Sequence, residues 1–317
     1  MTRADLEAAG RLIGEETGTL SLDKDAGGHG SYPRGKGMRS SAGEYEGAKW
    51  EGEQIAAQPR PFKAGVVATR ASQDVPPAAF FIEMGVSQAG ALAAQEACKE
   101  LREVSFALSA GQASDVVSDM LDKESMVFLD GTTGALVSKV LTGSLRGIQI
   151  RFDELARLTA LGHSQPLLSV HTHPSSLPFS STDIESVTAT TGAMVAAGKD
   201  GSVYAMHMPS LTASQSLDLQ ARFQSATAQA DVVARHQAGT YFRRTLNIPA
   251  DDPLSDQGLG ERAMARGLNP DRIFHKFLAA ANAVALDDMF KGLAIPGMTF
   301  SYWFPKEKMA WLEQETR

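Results

Sequence analysis

The apolar positions of this chain repeat with two periods, and the places where each holds predict the elements. Strand-like runs rich in branched and aromatic residues fall at 64–68, 78–84, 125–129 (Ser-Met-Val-Phe-Leu), 167–173 and 202–208. Between them, three-to-four-residue spacing predicts helices over 87–104, 112–121 and 152–162, where Phe152, Leu155 and Leu158 share a face. Asp130-Gly131 and Thr133-Gly134 mark a turn, with a return strand expected over 135–141. Beyond residue 211 the pattern becomes helical. Residues 213–237 are polar and Ala-rich, 249–260 read as a loop, and Ile273, Phe274, Phe277, Leu278 and Leu286 recur at helical spacing within 271–293. Before Phe62 the picture differs. A short amphipathic helix over 1–13 gives way to a stretch of Gly, Ser, Glu, Lys and Arg that has too few branched aliphatics to fold alone. The expected organisation is a flexible N-terminal region (1–61), an α+β sheet-and-helix domain (62–210) and a mostly helical C-terminal region (211–317).

The run His171-Thr-His173-Pro174-Ser-Ser-Leu-Pro-Phe-Ser180-Ser-Thr-Asp183 carries the candidate chemistry. Side chains two apart on a strand project from one face, so the imidazoles of His171 and His173 converge at the strand's end. Pro174 cannot donate to a ladder and stops the strand. A helix then begins near Ser180, with Asp183 in its first turn. Two imidazoles and a carboxylate form a three-ligand set that leaves a tetrahedral Zn²⁺ one open position, the pattern of a catalytic site. Each piece has a plainer reading: a strand-end histidine is commonly just a satisfied polar residue, and Ser180-x-x-Asp183 is also a capping box. Two same-face histidines, a proline stop and a spaced acid within thirteen residues favour the metal reading, and capping is compatible with it.

This run resembles the signature of the JAMM (MPN-plus, JAB) metalloproteases, HxHP followed by a short loop and SxxD. The resemblance spans about 110–210, and the loop between Pro174 and Ser180 holds five residues where many members have six. It implies a JAMM-like sheet flanked by helices, His171, His173 and Asp183 as zinc ligands, and Ser180, with Ser181 as the alternative, as a serine that aids the oxyanion. It also implies an upstream glutamate. Glu124 precedes the strand Glu-Ser-Met-Val-Phe-Leu-Asp, which is similar to the corresponding strand of the RadC branch. Glu124 would take a proton from the attacking water and return it to the leaving amine. Glu154 is its competitor, although its helical pattern turns the carboxylate toward solvent. The implied substrate is a protein: a peptide or isopeptide bond at the tail of ubiquitin or a ubiquitin-like protein.

Composition narrows the alternatives. The chain has 317 residues, 43% hydrophobic, with a net charge of −7, so it can bury a large core and offers no electrostatic footprint for nucleic acid. Without eighteen consecutive apolar residues or the apolar core of a secretory signal, it is expected to be cytoplasmic and off the membrane, or delivered as an effector without such a signal. The single cysteine, Cys98, lies in a helical pattern and reads as a buried structural thiol. His29 has no ligand-spaced partner, His163 at a helix end favours the helix C-terminus electrostatically, and His207 reads as a packed or exposed strand residue. Trp303, Phe304 and Trp311 would suit either an anchor for a partner or burial against the core. Three functions stay open: a zinc peptidase or isopeptidase, a RadC-like JAMM scaffold without catalysis, and a zinc amidohydrolase of a small conjugate.

Overall fold

A computed structural model describes residues 74–106, 122–143, 147–190, 192–249, 252–253 and 255–315. The expected elements at 1–13, 64–68 and 112–121, and His29, lie outside these residues. The elements run α1 (Ala78–Ile82), α2 (Gln88–Phe106), β1 (Ser125–Asp130), β2 (Leu141–Thr142), α3 (Phe152–Gly162), β3 (Leu167–His173) and α4 (Ser181–Thr190). They continue with β4 (Gly192–Gly198), β5 (Val203–His207), α5 (Ala213–Leu246), α6 (Asp256–Ala265), α7 (Pro270–Leu293), β6 (Thr299–Trp303) and α8 (Lys306–Glu315).

The α+β class holds: six strands form one mixed sheet in the order β2-β1-β3-β4-β5-β6, with helices on both faces. Only β3 and β4 run parallel, in register from Leu167 opposite Gly192 to His173 opposite Gly198. The crossover between them is α4, so the chain segment that must bridge two parallel strands is also the one that carries Asp183. Along β3 the two faces separate cleanly. Leu168 and Val170 join Ala94, Ala97, Cys98 and Leu101 of α2 in one core. Leu167, Ser169, His171 and His173 alternate onto the opposite face, where Leu167 meets Leu158 of α3.

That second face is covered by α5 and α7. Ala226, Ala230, Ala234 and Ala238 recur every fourth residue along α5 and are buried, which lets α7, with Ala279, Ala280, Ala281 and Ala283 buried, approach closely. Met194, Ala196, Tyr204, Met206 and Phe300 of the sheet share their core. Besides its helices, 211–317 supplies a strand: β6 pairs with β5, Val203 opposite Trp303, and completes the sheet. Of the C-terminal aromatics Phe304 is buried, while Trp303 and Trp311 are half-buried. Phe304 lies against Tyr204, and Trp311 lies 5.0 Å from Phe277.

Several expectations are corrected. Residues 78–82 form a helix and 83–84 a turn, not a strand, because Pro77 enters with φ −61 and Ala-Ala opens a turn that buries Phe81. The return strand at 135–141 is broken: Leu136 makes one bridge to Leu129, and the hydroxyl of Ser138 accepts the Phe128 N–H, leaving only β2 as ladder. Helix α6 begins inside the expected loop 249–260, where Ser255 accepts the N–H of Gly258 as its cap. Helix α5 runs to Leu246, nine residues past the expected end, and stops at Asn247 in the left-handed region.

Candidate metal centre

The two histidines reach the site as the strand period requires, and both are buried, with 1% and 7% exposure. Their Nε2 atoms face each other at 2.8 Å. Pro174 ends β3, and a five-residue loop returns the chain so that Asp183, in the first turn of α4, completes the group. Its Oδ1 lies 3.5 Å from His171 Nε2 and its Oδ2 3.4 Å from His173 Nε2. One ligand atom from each residue falls within 4.8 Å of the others.

The surrounding contacts orient His173 and Asp183. The Nδ1 of His173 donates to the Leu177 carbonyl at 2.8 Å, which turns its Nε2 toward the site. His171 Nδ1 is buried and has no hydrogen-bond partner among the described residues. Asp183 Oδ2 accepts both the N–H and the hydroxyl of Ser180, each at 2.7 Å, while Ser180 Oγ accepts the Asp183 N–H at 3.3 Å. This is the reciprocal capping arrangement foreseen for Ser180-x-x-Asp183. In this arrangement Ser180 fixes the Asp183 carboxylate. With Oδ2 occupied, Oδ1 is the freer ligand oxygen.

Electrostatics fit a cation at the centre. Burial pushes His171 down to about 4, so it is neutral at pH 7. Burial also acts to lower His173, but Asp183 beside it, and then Glu124, raise it to about 9. Asp183 lies well below the usual carboxylate range: its burial works the other way, and the two imidazoles outweigh it. The Asp183 carboxylate thus favours positive charge at this point between the two imidazoles. The donor set, two imidazole nitrogens and one carboxylate oxygen, suits Zn²⁺. On a tetrahedral ion with bonds of about 2.0–2.1 Å, two nitrogens sit about 3.3 Å apart, so the rings need separate by only about half an ångström.

Glu124, just before β1, lies outside the three-residue group but acts on it electrostatically. It is half-buried, and burial lifts its carboxyl to about 7, with His173 opposing and Asp183 adding to that rise. It is close enough to exchange charge effects with two of the three ligands. Gly147, with φ +136, leaves room there: a Cβ on it would stand 3.8 Å from Glu124 Oε2. Glu154 is placed elsewhere, held by Arg157 at 2.6 and 2.8 Å on α3 rather than pointing freely to solvent. Ser181 is the exposed first residue of α4, while Ser180 makes the contacts to Asp183. Cys98 is fully buried on the opposite face of the sheet, its thiol pushed up to about 12 by burial, and has no chemistry to offer. His207 donates through Nδ1 to the Gly297 carbonyl at 2.6 Å and ties β5 to the turn before β6, and His163 caps α3.

No family model, curated protein or solved structure matches the chain.

Two contributors escaped the sequence reading. Phe179, buried in the loop, lies 6.2 Å from the His171 ring and 6.3 Å from Phe300 of β6, so a C-terminal strand backs the site. Leu177 supplies the carbonyl that orients His173. A backbone acceptor has no sequence signature, and the Phe300 contact spans more than a hundred residues. No helix among the described residues is long and apolar enough to cross a membrane.

Proposed function

We propose that the chain is a zinc-dependent hydrolase that cleaves a peptide or isopeptide bond, with the tail of a ubiquitin-like protein as the implied substrate class. The observation that carries this is the convergence of His171, His173 and Asp183 beside a half-buried carboxyl, Glu124, whose proton affinity is near neutral. A bound Zn²⁺ would supply Lewis acidity, polarising a carbonyl oxygen and lowering the pKa of water to about 7.

The chain's own residues do the rest. His171 Nε2, His173 Nε2 and Asp183 Oδ1 would hold the ion. Glu124 accepts a proton from the attacking water as the water oxygen bonds to the carbonyl carbon. As the C–N bond breaks, the same carboxyl returns that proton to the departing nitrogen, leaving a carboxylate product and an amine. A carboxyl poised near 7 can do both, since it neither holds nor rejects the proton strongly. Ser180 acts by fixing Asp183, and Leu177 by fixing His173.

The test is cleavage of a panel of ubiquitin-like fusions by the zinc-loaded chain and by Glu124→Gln. Cleavage by the wild type with loss of about 10²- to 10⁴-fold in the variant is expected. Full activity in the variant removes Glu124 from the mechanism, and no cleavage of any amide substrate by the zinc-loaded wild type removes the hydrolase reading.

A further inference from the structure

A cavity of about 480 Å³ opens between α5, α6 and α7, and Leu177 of the metal-site loop forms part of its wall. That volume is in the range that takes a small ligand or a large side chain. Its walls are apolar, with Phe242, Leu259, Phe274 and Leu278 among them, while its uncommitted polar groups are acceptors. Asp256 and Asp271, in the first turns of α6 and α7, are exposed, and their carboxylates make no hydrogen bond or ion pair among the described residues. Asn282 also lines the cavity and is only 8% exposed, and its Oδ1 has no hydrogen-bond partner. An acceptor left bare at that depth is costly unless something donates to it. Of the wall's two basic side chains, Arg235 is bonded to Asp231 at 2.7 Å and stacked 5.3 Å over Phe274, with the Asp256 charge also acting on it, and His275 gives its Nδ1–H to the Asp271 backbone carbonyl at 2.7 Å.

Two helix-interior glycines keep this space open. Gly239 of α5 and Gly260 of α6 both line it; a Cβ at Gly239 would meet nothing within 4 Å, and one at Gly260 only Pro270, at 4.0 Å. Glycine weakens a helix interior, so its presence facing an empty volume is unexplained by packing.

We propose that this cavity is the recognition pocket for a basic side chain, lysine or arginine, of the substrate whose amide bond is presented to the metal centre; the substrate half of this statement rests on the hydrolase reading above. The chemistry matches: an apolar stem against aromatic and aliphatic walls, and a donor-rich cationic head for unpaired acceptors and two free carboxylates. Leu177 links pocket and chemistry, because the same residue walls the cavity and holds His173 Nδ1.

The experiment is calorimetric titration of the full chain with Nα-acetyl-lysine methylamide, Nα-acetyl-arginine methylamide and Nα-acetyl-norleucine methylamide. At least one cationic probe should bind ten times or more tighter than norleucine. Gly239→Leu, which fills the cavity while improving the helix, should abolish binding without lowering Tm. The Asp256→Asn, Asp271→Asn double variant should weaken it at least tenfold. Equal binding of norleucine, no binding by any probe, or unchanged binding in Gly239→Leu overturns the proposal. A free diamine, 1,5-diaminopentane, binding tenfold tighter than the capped lysine overturns the assignment to a substrate side chain. The titrations are run with and without zinc and should agree. Failure of the pocket thus leaves the hydrolase reading intact, and an inactive metal centre leaves the pocket's affinity for a basic side chain in place.

Discussion

Ser180 gives both its backbone N–H and its hydroxyl to one oxygen of Asp183, at 2.7 Å each, and so fixes which carboxylate oxygen is left to face the histidines. One residue serves two ends: it caps α4 and orients a ligand. Ser180→Ala should lower zinc affinity about 10- to 100-fold, the usual cost of losing a group that orients a metal ligand. Ser180→Thr, which keeps the hydroxyl, should restore most of it. Competition with a chromogenic chelator reads both, and an affinity unchanged in Ser180→Ala would mean that the helix alone places Asp183.

Metal affinity should depend on pH with a definite sign. His173 is raised to about 9, so below that pH a proton must leave its imidazole before a metal can bind. Affinity should therefore rise about tenfold per pH unit as pH increases from about 7 toward 9, then level. Glu124, near 7, adds a smaller dependence at the lower end of that window. Calorimetry in buffers of different ionisation enthalpy should show about one proton released per zinc at pH 8. Uptake without proton release would contradict the charge arrangement described here.

Glu124→Gln separates the base from the fold. In the metal-free chain the folded-state pKa of Glu124, about 7, lies above its ordinary value of 4.5. The folded state then binds the proton more tightly than the unfolded one, and the stability this confers is complete below about 4.5 and lost as pH rises through 7. The variant has no such group. Metal-free wild type should lose stability relative to Glu124→Gln between those pH values, as read by urea denaturation, and the two curves should run parallel above about pH 8. A constant difference across the range would show that Glu124 is not buried as described.

The C-terminal strand should matter to the metal as well as to the core. Phe300 is 7% exposed and stacks on Phe290 at 5.4 Å, and it reaches Phe179, which backs His171. Phe300→Ala should cost about 3–5 kcal/mol of stability. Phe300→Leu, a milder change, should leave the chain folded but weaken zinc binding measurably, which links residues 299–303 to the site. No change in affinity in Phe300→Leu would make that strand a structural neighbour only.

The ligand set was legible because the physics that forms it is local. Period two places His171 and His173 on one face, Pro174 ends the strand, and a capping pattern places Asp183, all within thirteen residues. The sheet was legible where strands are rich in branched residues, as in β1, β3 and β5. It was not legible in β4, Gly-Ala-Met-Val-Ala-Ala-Gly, a central strand buried on both faces whose composition lacks the strand signal and whose pattern does not alternate. Nor was it in β6, Thr-Phe-Ser-Tyr-Trp, where strand-forming aromatics were weighed only as an anchor or core residues. The Leu177 carbonyl and the Phe179–Phe300 contact depend on the returning loop and on a strand far along the chain, so neither could be read locally. The role of Ser180 was half legible: its capping bonds followed from spacing, whereas the direction of its hydroxyl required coordinates.

Metal binding should also stabilise the fold as a whole, since the three ligands join β3 to α4 and an unfolded chain offers no assembled site. At free zinc 100 times its Kd the gain should be about 2.7 kcal/mol, visible as a rise in Tm that a chelator reverses.

The most direct test of the metal centre is elemental analysis of the purified chain, zinc-loaded and then dialysed, beside His173→Ala and Asp183→Ala. The arrangement of His171, His173 and Asp183 predicts one zinc per wild-type chain and less than about a tenth of that in either variant. A wild type that retains no metal, or variants that retain as much as the wild type, would contradict it.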